Sequence, residues 1–182
     1  MKNATFKIGF LILASVFIFI CTAQGQDGTI VFKETFGQSE VKPFTGAETE
    51  NTWTVTGDSP ELRGQGEADH TGDGVGMETK STGTLTDTML ETTVDAKGSS
   101  GYIEFWVLVM DPPESGGWTF QVDSGGGYVT KLSEETASQH EYQKYHYDLE
   151  KKDLISNLKI RFQFSHTPER MVLDDIVVVV KK

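Results

Sequence analysis

Residues 102–110 read Tyr102-Ile103-Glu104-Phe105-Trp106-Val107-Leu108-Val109-Met110. Ile103, Phe105, Val107 and Val109 fall at every second position, the period of a pleated strand with one apolar face rather than of a helix. Asp111-Pro112-Pro113 ends the run, because proline has no ladder N–H and fixes φ. The same period recurs on both sides of this segment. Towards the C-terminus, Trp118, Phe120 and Val122 alternate with Thr119, Gln121 and Asp123, and Gly125-Gly126-Gly127 turns the chain into Tyr128 to Leu132. Glu141 to Leu149 alternates next. So does Asn157 to Phe164, with Leu158, Ile160, Phe162 and Phe164 on one side and Lys159, Arg161 and Gln163 on the other. Towards the N-terminus lie Met89 to Val94, Trp53 to Val55 before the turn Gly57-Asp58-Ser59-Pro60, and Ile30 to Phe36. Met171 to Val180 is apolar on both faces except at Asp174 and Asp175, so it belongs at the centre of a sheet, covered on both sides. Lys131 to His140 is the one competing segment, since Ser133-Glu134-Glu135 can open a single helical turn. Short strands separated by Gly, Pro, Ser and Asp clusters predict an all-β fold: a two-sheet antiparallel sandwich of jelly-roll type.

The opening of the chain is of another kind. Lys2 and Lys7 precede the apolar run Ile8 to Ile20, and Ala23-Gln24-Gly25 places small residues where a signal peptidase reads. Residues 1–25 therefore read as a secretory signal peptide, with one domain in residues 26–182. The run is shorter than the ~20 residues that span a bilayer, so no membrane span is expected once the leader is gone. The sole cysteine, Cys21, leaves with the leader, and a domain without disulfides must rely on its core or on metal. The formal charge of −11 becomes −13 without Lys2 and Lys7. Such a chain repels phosphate backbones, so nucleic acid is not an expected partner.

Four acids stand out. Glu34 sits between Phe32 and Phe36 on an inward face, Asp174 and Asp175 interrupt the apolar final strand, and Asp69 lies in the loop Asp69 to Glu78. Burying a carboxylate alone is costly, and the first and last strands of a jelly roll can lie side by side. A shared structural calcium ion, which takes several oxygen ligands in an irregular shell, would explain Glu34, Asp69, Asp174 and Asp175 together. On the outward faces, Glu104 and Trp106, Tyr142 and His146, and Arg161 and Gln163 combine aromatic surface with hydrogen-bonding groups. That combination suits a saccharide.

The segment Gly66 to Gly76 contains Asp69-His70-Thr71 and resembles the Asp-His-Thr motif of MAM domains, the adhesive modules of meprins, neuropilins and some receptor phosphatases. Phe32-Lys33-Glu34-Thr35-Phe36, Trp53, Ile103-Glu104-Phe105-Trp106 and Leu173-Asp174-Asp175-Ile176 follow in that family's order. The same words resemble bacterial secreted jelly rolls of cleaved-adhesin and carbohydrate-binding type. The resemblance implies a cation near Glu34, Asp69 and Asp174, and binding or adhesion rather than catalysis. Animal MAM domains carry disulfides, so a cysteine-free mature chain favours a bacterial relative, secreted or periplasmic. The expected function is a binding or adhesion module for a polysaccharide, or for a cell-surface glycan or protein. Two alternatives stand beside it, a small polysaccharide-active enzyme and a structural subunit of a surface assembly. For the enzyme, Glu67-Ala68-Asp69 supplies one half of a glucanase motif, but His70-Thr71-Gly72 stands where the second glutamate should be. Retaining hydrolysis needs two carboxyl groups ~5 Å apart, and no nucleophile elbow or zinc-spaced histidine pair is present.

Overall fold

The computed structural model describes residues 28–37, 42–46, 49, 51–57, 60–63, 70, 76–79, 87–109, 117–135, 139–165 and 171–182. Twelve strands run through them: β1 Thr29–Glu34, β2 Lys42–Pro43, β3 Thr54–Thr56, β4 Glu61–Arg63, β5 Gly76–Thr79, β6 Thr88–Val94, β7 Ser100–Val109, β8 Gly117–Asp123, β9 Val129–Glu135, β10 Gln139–Asp148, β11 Leu158–Ser165 and β12 Met171–Lys181. A 3-10 turn at Lys151–Asp153 is the one helical element among the described residues, and no helix there is long and apolar enough to cross a membrane. The expected leader, residues 1–25, lies outside the described residues.

The larger sheet runs β10-β7-β12-β5-β4-β2, with β1 also paired to β12; the smaller runs β3-β6-β11-β8-β9. Every pairing is antiparallel. The alternating residues do what their period requires. Ile103, Phe105 and Val107 of β7 meet Phe120 and Val122 of β8 and Leu158, Ile160 and Phe162 of β11 in a single core. Phe105 is its hub, with ring centroids 4.9 Å from Phe162, 5.2 Å from Phe120, 5.6 Å from Tyr145 and 5.7 Å from Trp118.

The final strand is central, as its two apolar faces demand: β7 flanks it on one side, β5 and β1 on the other. Its pairing with β7 slips between Asp174 and Val177, where Asp175 has φ 48°. The bulge lets two adjacent acids leave an apolar strand without turning its remaining residues over. Lys131 to Glu135 is part of β9 and not the helical turn that its acidic start allowed, because the hairpin with β8 supplies its ladder partners.

Candidate functional site

At the β1–β12 corner, Glu34 is buried on the inner face opposite Ile176. Its Oε1 accepts the Phe36 N–H at 2.8 Å, and its Oε2 accepts Asn51 Nδ2 and Trp53 Nε1, each at 3.1 Å. Phe36 has φ 54°, and its amide is turned towards Glu34. Asp174 lies opposite Trp106 on the outer face. Its Oδ2 accepts the His70 N–H at 3.0 Å and its Oδ1 the Asp175 N–H at 2.8 Å. His70 Nδ1 stands 2.6 Å from Asp175 Oδ2.

Register therefore brings Glu34, Asp174 and Asp175 to one corner, but protein donors already serve them. Among the described residues no group of three His, Cys, Asp or Glu side chains gathers as a metal shell. The fourth expected ligand, Asp69, lies outside those residues. The chemistry is oxygen-rich, and Asp175 Oδ1 accepts no hydrogen bond among the described residues. Carboxylate oxygens are the donors calcium takes, but its shell needs ~6–8 of them, more than these acids present among the described residues.

The six expected ligand residues divide between two surfaces. Glu104, Trp106, Tyr142 and His146 lie on the outer face of the larger sheet, and Arg161 and Gln163 on the outer face of the smaller one. Alternation says which side of its own strand a residue occupies, but not which sheet the strand joins.

On the larger sheet, His70 stacks on Trp106 with centroids 3.8 Å apart and meets Tyr142 edge-on at 5.1 Å. The rings are thus engaged with one another, and Leu108, Val172 and Asp174 on the same face are buried. Further along, Glu104 binds Lys144 Nζ at 2.8 Å and His146 Nδ1 at 2.9 Å, and His146 Nε2 reaches Asp148 at 3.1 Å. Partial burial opposes the His146 charge, but the Glu104 and Asp148 carboxylates outweigh it and raise the imidazole above its ordinary pKa.

The smaller sheet presents a different surface. Thr54, Glu91, Arg161, Gln121 and Thr130 occupy successive strands β3, β6, β11, β8 and β9 in one register. At ~4.8 Å between strands this row spans roughly 19 Å. Arg161 Nη2 donates to Glu91 Oε2 at 3.0 Å, and its guanidinium lies 3.4 Å above the centre of the Tyr128 ring, well within cation–π range. Gln163 donates to Asp87 at 2.8 Å, and Gln121 lies 3.4 Å from both Gln163 and Thr130. Burial opposes ionisation of Glu91, but Tyr128 and Arg161 more than reverse it and hold the carboxyl below its ordinary value. The row opens at one edge into a polar groove of about 470 Å³ lined by Asn51, Thr52, Thr54, Glu91 and Thr93. Glu91, Tyr128 and Gln121 were not singled out from sequence. The parity of β8 already put Gln121 outward, but pairing Glu91 with Arg161 requires knowing that β6 neighbours β11.

No family model matches the chain, nor does any curated protein. Solved structures do. The K1 cleaved adhesin domain of Lys-gingipain from Porphyromonas gingivalis W83 superposes with TM-score 0.60 at 16% identity, over 85% of this chain and 100% of that one. The fold is a jelly roll. The CBM22-1 xylan-binding domain of Paenibacillus barcinonensis Xyn10C follows at TM-score 0.56 and 16% identity, over 85% of this chain and 97% of that one. TmCBM61, solved with β-1,4-galactotriose, gives 0.55 and 16%, over 69% and 86%. At these identities the likeness establishes architecture.

Proposed function

We propose that this chain is an exported carbohydrate-binding module and that it holds its glycan across the outer face of the smaller sheet. The row from Thr54 to Thr130 carries the reading. A saccharide chain needs hydroxyl donors and acceptors fixed at intervals along a flat path. Here carboxylate, guanidinium, amide and hydroxyl groups succeed one another on rigid strands, with Arg161 braced on Tyr128. A planar guanidinium fork fixes paired oxygens, which a flexible ammonium does not. The structural neighbours support the reading, since those described above include a xylan-binding domain and a module solved with a galactotriose. Arg161→Ala should weaken binding of the best glycan from an array by at least tenfold, measured calorimetrically. Equal affinity in that variant and in Gln121→Ala would remove this face from the reading.

Calcium at the β1–β12 corner is the second part of the proposal. What supports it is the adjacent pair of buried carboxylates, Asp174 and Asp175, set against the single imidazole of His70, with Glu34 on the neighbouring strand. Chelation should lower the melting temperature by several degrees and added calcium should restore it. A melt indifferent to both would leave the hydrogen bonds already described as the whole account of these acids.

A further inference from the structure

A second feature lies on the opposite side of the sandwich, at the far end of the larger sheet. A recess of about 230 Å³ is bounded by Gly28, Ser100, Gly101, Tyr102, Asp148 and Lys181. Gly28 borders it without a side chain, and a Cβ there would collide with Val179 Cγ1. The chain can therefore run close against β12 there. One wall is the half-buried Tyr102 ring. The ring also stacks on the His146 imidazole at 5.1 Å and 24°. Asp148 stands directly opposite Tyr102 in the β7–β10 register, and His146, held between Glu104 and Asp148, ties ring and carboxylate into one rigid unit. The opposite rim is anchored where Ser99 N–H donates to the Lys181 carbonyl at 2.7 Å.

We infer that this recess is a second saccharide subsite, built for a single terminal ring rather than for a chain. The inference rests on the carbohydrate reading. Its volume is below the ~300–1,000 Å³ of sites for drug-sized ligands, which limits the occupant to about one ring. An aromatic wall offers apolar contact to the C–H face of a pyranose. Asp148 accepts from two hydroxyls, Ser100 can donate or accept, and Lys181 donates. An anionic ligand would meet Asp148 in a chain of net charge −11, so the favoured occupant is a neutral sugar end. With the Arg161 row facing the other way, one molecule could hold a glycan along one side and a chain end on the other.

Titrating the full chain with xylose, galactose, glucose and N-acetylglucosamine, followed by amide chemical shifts, tests this. At least one monosaccharide should shift the amides of Ser100 to Tyr102 and of Asp148. Tyr102→Ala and Asp148→Ala should each weaken that binding at least tenfold, while Arg161→Ala leaves it intact. Asp148 has a side chain 88% exposed, so its variant folds even if loss of the Tyr102 ring disturbs the strand. Shifts confined to the Arg161 face, or none with any of the four sugars, would overturn the second subsite. Binding of an oligosaccharide that depends on Arg161 would, in either case, leave the first reading standing.

Discussion

Phe105→Ala should cost about 3–5 kcal/mol of folding free energy, the range for removing a fully buried phenylalanine. At 2–4 °C per kcal/mol for a chain of this size, the melting temperature falls by on the order of 10 °C. The magnitude follows from position. Phe105 is fully buried on a strand of the larger sheet, and its ring meets Trp118, Phe120 and Phe162 of the smaller sheet as well as Tyr145 beside it. Four rings cannot all move into the space it leaves, so the cavity term adds to the lost transfer energy. Chemical denaturation at fixed m-value measures the loss. A cost below about 1.5 kcal/mol, the usual ceiling for volume-conserving core swaps, would mean that the surrounding rings close over the gap and that the sheets are not rigidly spaced. The consequence reaches the surface, because Phe162 lies between Arg161 and Gln163 on β11. The groups expected to hold a glycan are fixed by inward neighbours that pack on Phe105.

Much of this was legible from period alone. Strands of seven residues or more with one apolar face, such as β6, β7 and β11, declare themselves, because hydrophobic side chains at every second position have only one regular way to share a core. The central place of β12 was equally plain from its two apolar faces. The strands β2, β4 and β5 were missed. They hold two to four residues each, too few to show a period, and are ordered by pairing with one another and with the start of β12. The larger failure concerns sheet membership. Trp106 and Arg161 both point outward from their strands, yet they belong to opposite faces of the molecule, and no local pattern records that. Glu34 shows the same limit in energetic form. A carboxylate between two phenylalanines signals a buried charge that needs compensation, but the compensating donors, Asn51 and Trp53, come from a loop seventeen or more residues away. Nothing local in the sequence records where that loop folds.

Asp153→Ala should be nearly as damaging, at about 3–5 kcal/mol, because it breaks a buried ion cluster from one side. Asp153 is fully buried at the end of the sandwich. It accepts Ser124 Oγ at 2.5 Å, Tyr147 OH at 2.6 Å and the Glu150 N–H at 3.2 Å, with Lys131 Nζ at 3.5 Å. Lys131, itself 5% exposed, pairs with Glu150 at 2.6 Å. Ser124 and Lys131 belong to the β8–β9 hairpin of the smaller sheet and Tyr147 to β10 of the larger, so this one carboxylate clasps the two layers together. Removing it strands two hydroxyls, an amide and part of an ammonium's coordination. The double variant Lys131→Met, Asp153→Leu should recover much of the loss, since an apolar replacement strands neither charge. Acid sharpens the test. Burial opposes ionisation of Asp153, but Ser124, Tyr147 and Lys131 outweigh it and hold its pKa below the ordinary value. The Lys131 and Lys152 hydrogen bonds pull Glu150 down to about 2. A carboxyl depressed in the folded state contributes stability above its unfolded pKa, ~4, and loses it as pH falls through the folded value. The wild-type chain should therefore lose this contribution between about pH 4.5 and 2, and Asp153→Ala should show a shallower decline over the same window. Parallel declines would mean that Asp153 is protonated in the native state and that the clasp is an uncharged hydrogen-bond network. The same hairpin carries Tyr128 beneath Arg161, so the variant should also weaken glycan binding at temperatures where it remains folded. An intact binding curve in a destabilised variant would separate the clasp from the site it is expected to hold in place.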